Sequence, residues 1–370
     1  MKFKLSKSSH YNYFNMIKLI DKSSLISKEN KKVASDSLIF YCSDDKLAIL
    51  SSNNYMAANF ILDVDIEHFD PFAVDVNIFC NAFHNFPTDE VNFVIDSKSN
   101  SLIFGNKKTR VIVKTSSIDK IDDILIQFES NVKYSNLNKS NFTDCIKYTS
   151  FCCSSSIDEF PYSSILVYKD DDFFSAISSD KHRISKCGMD FDQQSSFLLN
   201  RNTAEILLNL IKDIDNLKYY LHKDKLIFSC DFGRIRINLD NNSNQNIFKK
   251  LIDFYTDQQD ICKVKINKFI LLKSLKFVSS VSDKDCIELK LLDNNIVICT
   301  PLSEKGMIAD KIPIDDHVRE VESSYLLSHL LKALDHIEQE FITLSFSRFN
   351  NYELLNLSND KFDHLIFPMA

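Results

Sequence analysis

Hydrophobic and polar positions along this chain follow two periods, and the pattern itself repeats. Leu102-Ile103-Phe104-Gly105 followed by Arg110-Val111-Ile112-Val113 matches Leu226-Ile227-Phe228-Ser229 followed by Arg234-Ile235-Arg236-Ile237 at an offset of 124 residues. Three such units fill the 370 residues. Each alternating pair reads as a hairpin, with polar turns at Asn106 to Thr109 and Cys230 to Gly233. A helical stretch and one more strand precede each hairpin: Val76 to Phe86 then Val91 to Ile95, and Ala204 to Ile214 then Leu217 to Leu221. The last unit repeats the order with Tyr325 to Ile337, Phe341 to Phe346, Tyr352 to Leu357 and His364 to Phe367.

Every unit also opens with a strand and an amphipathic helix. Phe3 to Leu5 leads to Tyr11 to Asp21, Val132 to Tyr134 leads to Phe142 to Cys153, and Cys262 to Ile266 leads to Phe269 to Val281. Apolar positions recur at i, i+3, i+4 and i+7, as in Tyr13, Met16, Ile17, Ile20 and in Phe142, Cys145, Ile146, Thr149. Each unit thus holds two helices and about eight short strands, an α+β arrangement in which helices cover one face of antiparallel sheets. Polar joints at Phe128 to Asn131 and Thr256 to Asp260 divide the chain into 1–129, 130–256 and 257–370.

Composition narrows the chemistry. With 44 Lys and Arg against 51 Asp and Glu, the net charge of −7 excludes a generally basic nucleic-acid coat. Four glycines cannot build a Gly-rich phosphate loop, which disfavours most nucleotide enzymes. No apolar run approaches the roughly 20 residues that span a bilayer. Met1 to Leu5 reads as a first strand and not a signal peptide, so the expected location is the cytoplasm. The ten cysteines lack CxxC or Cys/His spacing and read as small buried apolar residues. Asp63-Val-Asp65 and Asp170-Asp171-Asp172 could attract a divalent ion, but acids at strand ends and turns ordinarily cap or solvate them. No nucleophile with its base and no metal-ligand spacing appears, so neither an enzyme nor a cofactor is expected.

The helix faces opposite the apolar stripes lean basic. At 100° per residue, Lys18 and Lys22 fall opposite the first stripe, Lys147 opposite the second, and Arg201 and Lys212 opposite Leu207, Leu210, Ile211 and Ile214. Lys273 and Lys276 lie opposite Leu271, Leu275 and Val278, and Lys332 with His329 and His336 opposite Leu327, Leu330, Leu331 and Leu334. The Val76 to Phe86 helix departs, showing Ile78, Asn81 and Asn85. Such faces suit ordinary solvation or a polyanion met through its phosphates alone, without sequence readout.

Three repeated α+β units whose helices lean basic resemble the bacterial DNA polymerase III beta subunit family, the sliding clamps. Phe174-Ser-Ala-Ile-Ser-Ser-Asp180-Lys-His182-Arg183-Ile184 looks like the family's middle-domain strand ending in Ala-Thr-Asp-Gly-His-Arg-Leu. His364-Leu-Ile-Phe-Pro368-Met369 is similar to its terminal Tyr-Val-Val-Met-Pro-Met-Arg-Leu, and Met1-Lys2-Phe3 before a helix at Tyr11 fits its opening. The resemblance implies a head-to-tail homodimeric ring of three-domain protomers through which double-stranded DNA passes. Sheets would run continuously between neighbouring domains. Lys18, Lys22, Lys147, Arg201, Lys212, Lys273, Lys276 and Lys332 would then face DNA.

The resemblance also implies a groove between the middle and last domains that takes short apolar motifs of the replicative polymerase, the clamp loader, and repair polymerases or ligase. Carried over by position, Ser179, His182, Arg183 and Ile184 form one wall, Leu365, Ile366, Phe367, Pro368 and Met369 the other, and Lys250 with Leu251 match the linker. Lys181 stands at the family's glycine, Phe367 at its gating methionine, and the linker proline is missing near Asn246. A clamp-like recruitment scaffold that does not encircle DNA is the alternative, and a metal-dependent nuclease built on the acidic clusters the contrasting one.

Overall fold

The computed structural model describes residues 2–24, 37–118, 121, 125, 128, 132–156, 159–170, 173–191, 196–222, 224–240, 245–280, 284–302, 306–314, 319–349 and 352–369. The chain begins with β1 (Lys2–Ser6), α1 (Lys7–Ser24), β2 (Ser37–Ser43), β3 (Lys46–Ser52), β4 (Met56–Asp65) and β5 (Phe72–Asp75). α2 (Val76–His84), β6 (Glu90–Asp96), β7 (Ser101–Gly105), β8 (Arg110–Lys114) and the two-residue β9 (Ser116–Ser117) follow. The order recurs as β10 (Ser135–Asn136), α3 (Lys139–Ser150), β11 (Ser164–Asp170), β12 (Phe173–Ser179), β13 (Arg183–Met189), β14 (Phe197–Asn200), α4 (Arg201–Ile211), β15 (Lys218–His222), β16 (Lys225–Cys230) and β17 (Gly233–Asn238). After α5 (Gln245–Thr256) it recurs again as β18 (Asp260–Asn267), α6 (Lys268–Ser279), β19 (Ile287–Leu292), β20 (Asn295–Cys299), β21 (Ala309–Pro313) and β22 (Val321–Tyr325). It closes with α7 (Leu327–His336), β23 (Phe341–Phe349), β24 (Tyr352–Ser358) and β25 (Phe362–Ile366).

Two compact units result, Met1–Lys139 with Asn202–Asp240, and Ser140–Arg201 with Asn241–Ala370. The first holds a four-stranded sheet, β1-β6-β7-β8, and a nine-stranded sheet, β10-β15-β16-β17-β4-β3-β2-β5-β9. The second holds an eight-stranded sheet, β14-β11-β12-β13-β25-β24-β23-β18, and a four-stranded sheet, β21-β20-β19-β22. Among the described residues all strand pairs are antiparallel, and two of them join successive repeats: β17 to β4, with Arg236 opposite Ala57, and β25 to β13, with Leu365 opposite Ile184.

Local chemistry explains the elements. The β2–β3 and β19–β20 hairpins turn on Asp44-Asp45 and Asp293-Asn294, all four at positive φ between 48° and 61°. Two-residue turns of this hand match strand twist, and Asp and Asn tolerate them best after glycine. In the first unit Phe14 is fully buried, its ring 5.0 Å from Phe79 and 4.8 Å from Phe83. The stripe read from the sequence passed over Phe14 in favour of Tyr13, which is half-buried with its ring edge 5.0 Å from Phe232.

Two expected spans shift. The strand expected at Val132 to Tyr134 forms at β10, where Ser135 and Asn136 pair with Tyr219 and Lys218. Tyr325 ends β22 instead of opening a helix, because its buried hydroxyl donates to the Glu353 carbonyl at 2.8 Å. Most of the Phe128 to Asn131 joint lies outside the described residues.

One contact recurs in all three repeats. The first residue of the first helix is a lysine whose ammonium reaches carbonyls just past the end of the second helix. Lys7 Nζ donates to Phe86 O at 2.8 Å, Lys139 Nζ to Lys212 O at 3.0 Å and Ile214 O at 2.7 Å, and Lys268 Nζ to Ile337 O. Carbonyls just beyond a helix end have no partner within the helix, and a cation there also offsets the helix dipole.

Candidate partner groove and helix faces

The candidate groove residues lie in the second unit, and strand alternation sorts them. Ile184 on β13 and Leu365 on β25 point to the same sheet face and pack with Leu166, Tyr168, Ile177, Leu198 and Leu354. α5 lays its apolar stripe on that face: Phe248 is 2% exposed, with Leu251, Ile252 and Tyr255 half-buried at i+3, i+4 and i+7. Tyr255 donates to Asp363 and lies 5.3 Å beneath the Lys186 ammonium. Burial, with the Tyr255 hydroxyl as a partial counterweight, raises the Asp363 carboxyl above the usual range. Phe254, on the last turn of α5, stacks on Phe367 at 5.5 Å and meets Phe349 edge-on at 4.8 Å. Phe367 is half-buried, and Lys250 beside this face is exposed.

Other expected groove residues stand elsewhere. One residue along β13 the side chain points to the opposite sheet face, so Arg183 is turned away from the apolar cluster. It is 5% exposed, with Nε 2.8 Å from Asp180 Oδ2, Nη2 donating to Phe151 O at 3.2 Å, and the guanidinium 5.5 Å over the Phe151 ring. Ile366, paired opposite Arg183, shares that face. Ser179 is buried, its Oγ accepting from Lys181 N at 3.1 Å. His182 is exposed in the turn, and its carbonyl accepts from Phe367 N at 3.0 Å. Pro368 is half-buried, while Met369 is 41% exposed with its N–H on Ser324 O at 2.8 Å. The structure therefore brings Ile184, Leu251, Leu365 and Phe367 together and gives Arg183 and Ile366 a different environment.

Lys181 adopts φ +77, the left-handed region that the glycine at this position of the resembled motif favours. Its ammonium pairs with Glu159 at 3.2 Å and lies 5.2 Å from the Tyr162 ring. Lys181→Gly and Lys181→Ala both delete those contacts, so their difference isolates the backbone. Chemical denaturation should find the glycine variant more stable by about 1 kcal/mol.

Behind the groove, on the helix side of β25, His364 is fully buried and neither ring nitrogen has a hydrogen-bond partner. Phe151 at 5.1 Å and Phe362 at 5.9 Å enclose it, and His336 stacks on Phe151 at 4.1 Å. Burial, then the charges of Arg183, His329 and His336, hold its pKa well below 6.5. Burial also lowers His329, which is half-buried 6.4 Å from His182. His329 and His336 thus leave the exposed helix face assigned to them by periodicity. A histidine kept neutral in the fold takes up its proton only on unfolding, so stability falls as pH drops below about 6.5. The loss should reach about 1.4 kcal/mol per pH unit for His364 alone, so unfolding free energies from urea titrations of His364→Phe should fall by that much less per pH unit.

The helix faces carry the remaining candidates. Lys147, Lys212, Lys273, Lys276 and Lys332 are exposed. Lys147 lies 3.6 Å from Glu338, and Lys18, half-buried, donates to Asn81 Oδ1 at 2.6 Å. Arg201 is half-buried with Nη1 on the Cys153 carbonyl at 3.0 Å, which makes it a structural tie between the start of α4 and the segment that follows α3. Lys22 lies in α1 with its side chain outside the described residues. Asp63 and Asp65 both hold Lys46 Nζ, at 2.8 and 2.6 Å, which accounts for that acidic pair. Asp171 and Asp172 lie outside the described residues. Among the described residues no helix is long and apolar enough to cross a membrane, and no disulfide joins any of the ten cysteines.

Sequence reasoning missed Phe248, Phe254, Tyr255 and Phe160 on the apolar face, although Phe248, Leu251, Ile252 and Tyr255 already spelled a helical stripe. The three latch lysines gave no local signal, since their partners are backbone carbonyls.

No protein-family model and no curated protein matches the chain. Solved structures do. A putative DNA polymerase III beta subunit from Eubacterium rectale superposes with a TM-score of 0.83 at 19% identity, covering 100% of both chains. The DNA polymerase sliding clamp from Bacillus subtilis gives 0.82 at 16%, covering 100% of this chain and 99% of that one. The DNA polymerase III beta subunit from Borrelia burgdorferi, in complex with a natural product, gives 0.81 at 17%, with the same coverage. Full-length agreement at such low identity is agreement of architecture: this chain has the fold of the bacterial sliding clamps.

Proposed function

We propose that the chain is a DNA sliding clamp, a non-enzymatic processivity factor of three modules, 1–129, 130–256 and 257–370. Two copies close head to tail around duplex DNA in the cytoplasm and tether the replicative polymerase and other replication and repair proteins through the apolar face at Ile184, Leu251, Leu365 and Phe367. The observation that carries this reading is a pair of unfilled sheet edges. Within the chain, the last hairpin of one repeat is joined twice to the first sheet half of another, β17 to β4 and β25 to β13. The remaining members of these two sets are β8 and β21, each at the edge of a four-stranded sheet.

Both internal joints give the same register for a third. The counterpart of Arg236 and Leu365 is Ile112, and that of Ala57 and Ile184 is Met307. Ile112 is 56% exposed and Met307, two residues ahead of β21, 54%, so pairing β8 with this edge of a second copy buries two apolar side chains against each other. α6 supports the same joint. Its tenth residue, Phe277, is 51% exposed, whereas Tyr148 at the tenth position of α3 is buried 5.2 Å from Phe362 in the neighbouring hairpin. A body of charge −7 carrying a few exposed lysines on its helices meets phosphates weakly, which suits retention by enclosure.

The direct experiment loads the protein on nicked circular duplex DNA and follows it by gel filtration in high salt. Retention on the circle and loss on cutting it is the expected result. Equal loss from both forms would reject enclosure, and a monomer at micromolar concentration would favour a recruitment scaffold.

A further inference from the structure

The exposed ridge of α6 carries apolar side chains that neither the fold nor the ring requires, beside two lysines. Phe269, Lys273 and Lys276 follow one another at i, i+4 and i+7, and Ile270 lies beside them. Phe269 is 60% exposed and Ile270 52%, while Lys273 and Lys276 are exposed and α6 contains no acidic residue. The residues at the same helical position as Phe269 in α1 and α3 are Ser8 and Ser140, both exposed. A serine therefore satisfies the fold there, and the joints already made within the chain leave that position in water. By the same equivalence a second copy would cover Phe277 and leave Phe269 free.

The Phe269 ring is also positioned. The Lys268 ammonium sits 5.2 Å from its centroid and is fixed by its bond to the Ile337 carbonyl. An aromatic ring held in place loses little freedom on binding. With lysines about 6 and 10 Å further along the helix axis, it combines a flat apolar platform with cations for a backbone.

We propose that this ridge binds single-stranded nucleic acid, Phe269 stacking on an unpaired base while Lys273 and Lys276 meet the flanking phosphates. This goes beyond the clamp reading, which needs only the phosphates of a duplex. Paired bases hide their faces within the duplex stack, so the ring discriminates single strands from double strands, and the lysines do not.

The test is fluorescence anisotropy of the full-length protein with a labelled oligothymidylate and a labelled duplex of equal length. Phe269→Ala should weaken single-strand binding about tenfold and change duplex binding less than twofold. Phe269→Leu keeps apolar bulk without a π-face and should match the alanine variant. Lys273→Ala with Lys276→Ala should weaken both ligands and flatten their salt dependence. Equal effects of Phe269→Ala on both ligands, no effect on either, or full rescue by leucine would overturn the proposal. A shift in the sedimentation of Phe269→Ala would also overturn it, by assigning the ridge to a second copy. Loss of retention on circular DNA would count against enclosure and leave this binding measurement untouched.

Discussion

Ile112→Glu and Met307→Glu should each turn a dimer of twice 42.8 kDa into a monomer in sedimentation equilibrium. Either change places a carboxylate against an apolar side chain within the joint, where the apolar contact is lost and the charge is taken out of water, with Arg110 and Lys114 on the same face of β8 as a partial offset. A net cost of about 3 kcal/mol weakens association by a factor of roughly 10². Neither residue is buried within the single chain, so both variants should fold normally. Ile112→Lys combined with Met307→Glu should restore part of the dimer, because the register puts the two new charges face to face. Dimers that survive both single changes would mean that these edges do not meet.

Arg183→Ala should lower stability by about 3 kcal/mol or more, read as a shift of the denaturant midpoint, because it leaves Asp180 without its buried partner and removes the cation over Phe151. Phe367→Ala should behave differently. Its half-buried ring contributes one stack with Phe254, so it costs about 1 kcal/mol in folding and, if the proposed groove takes apolar peptides, a much larger share of their affinity. Titrating a labelled client peptide into both variants separates the roles. An Arg183→Ala protein of normal stability that no longer binds the peptide would put the guanidinium in the groove after all.

The sequence carried the repeat better than it carried the individual sides of strands. The hairpins near Leu102 and Leu226 were legible because their alternation and a 124-residue spacing agreed. The intervening strands were not, since β2 and β3 bury four and five consecutive residues and read as plain apolar runs. Arg183 and Ile184 illustrate the limit for the site. Motif resemblance delivers both to one turn, but adjacent strand residues face opposite ways, and only pairing with β25 decides which side belongs to the apolar cluster. α5 escaped notice because a segment without its proline looked like a linker, although its stripe was present throughout.

The lysine latches alter what the helix layers can offer a polyanion. Lys7, Lys139 and Lys268 enter any tally of basic residues at these helices, yet carbonyl lone pairs already occupy their ammonium groups. An ammonium engaged in this way displaces no condensed counterions when DNA approaches, so the slope of log affinity against log salt should be shallower than the lysine content suggests. In the proposed clamp, positive charge built into the scaffold would thus shape the protein while leaving a duplex free to move.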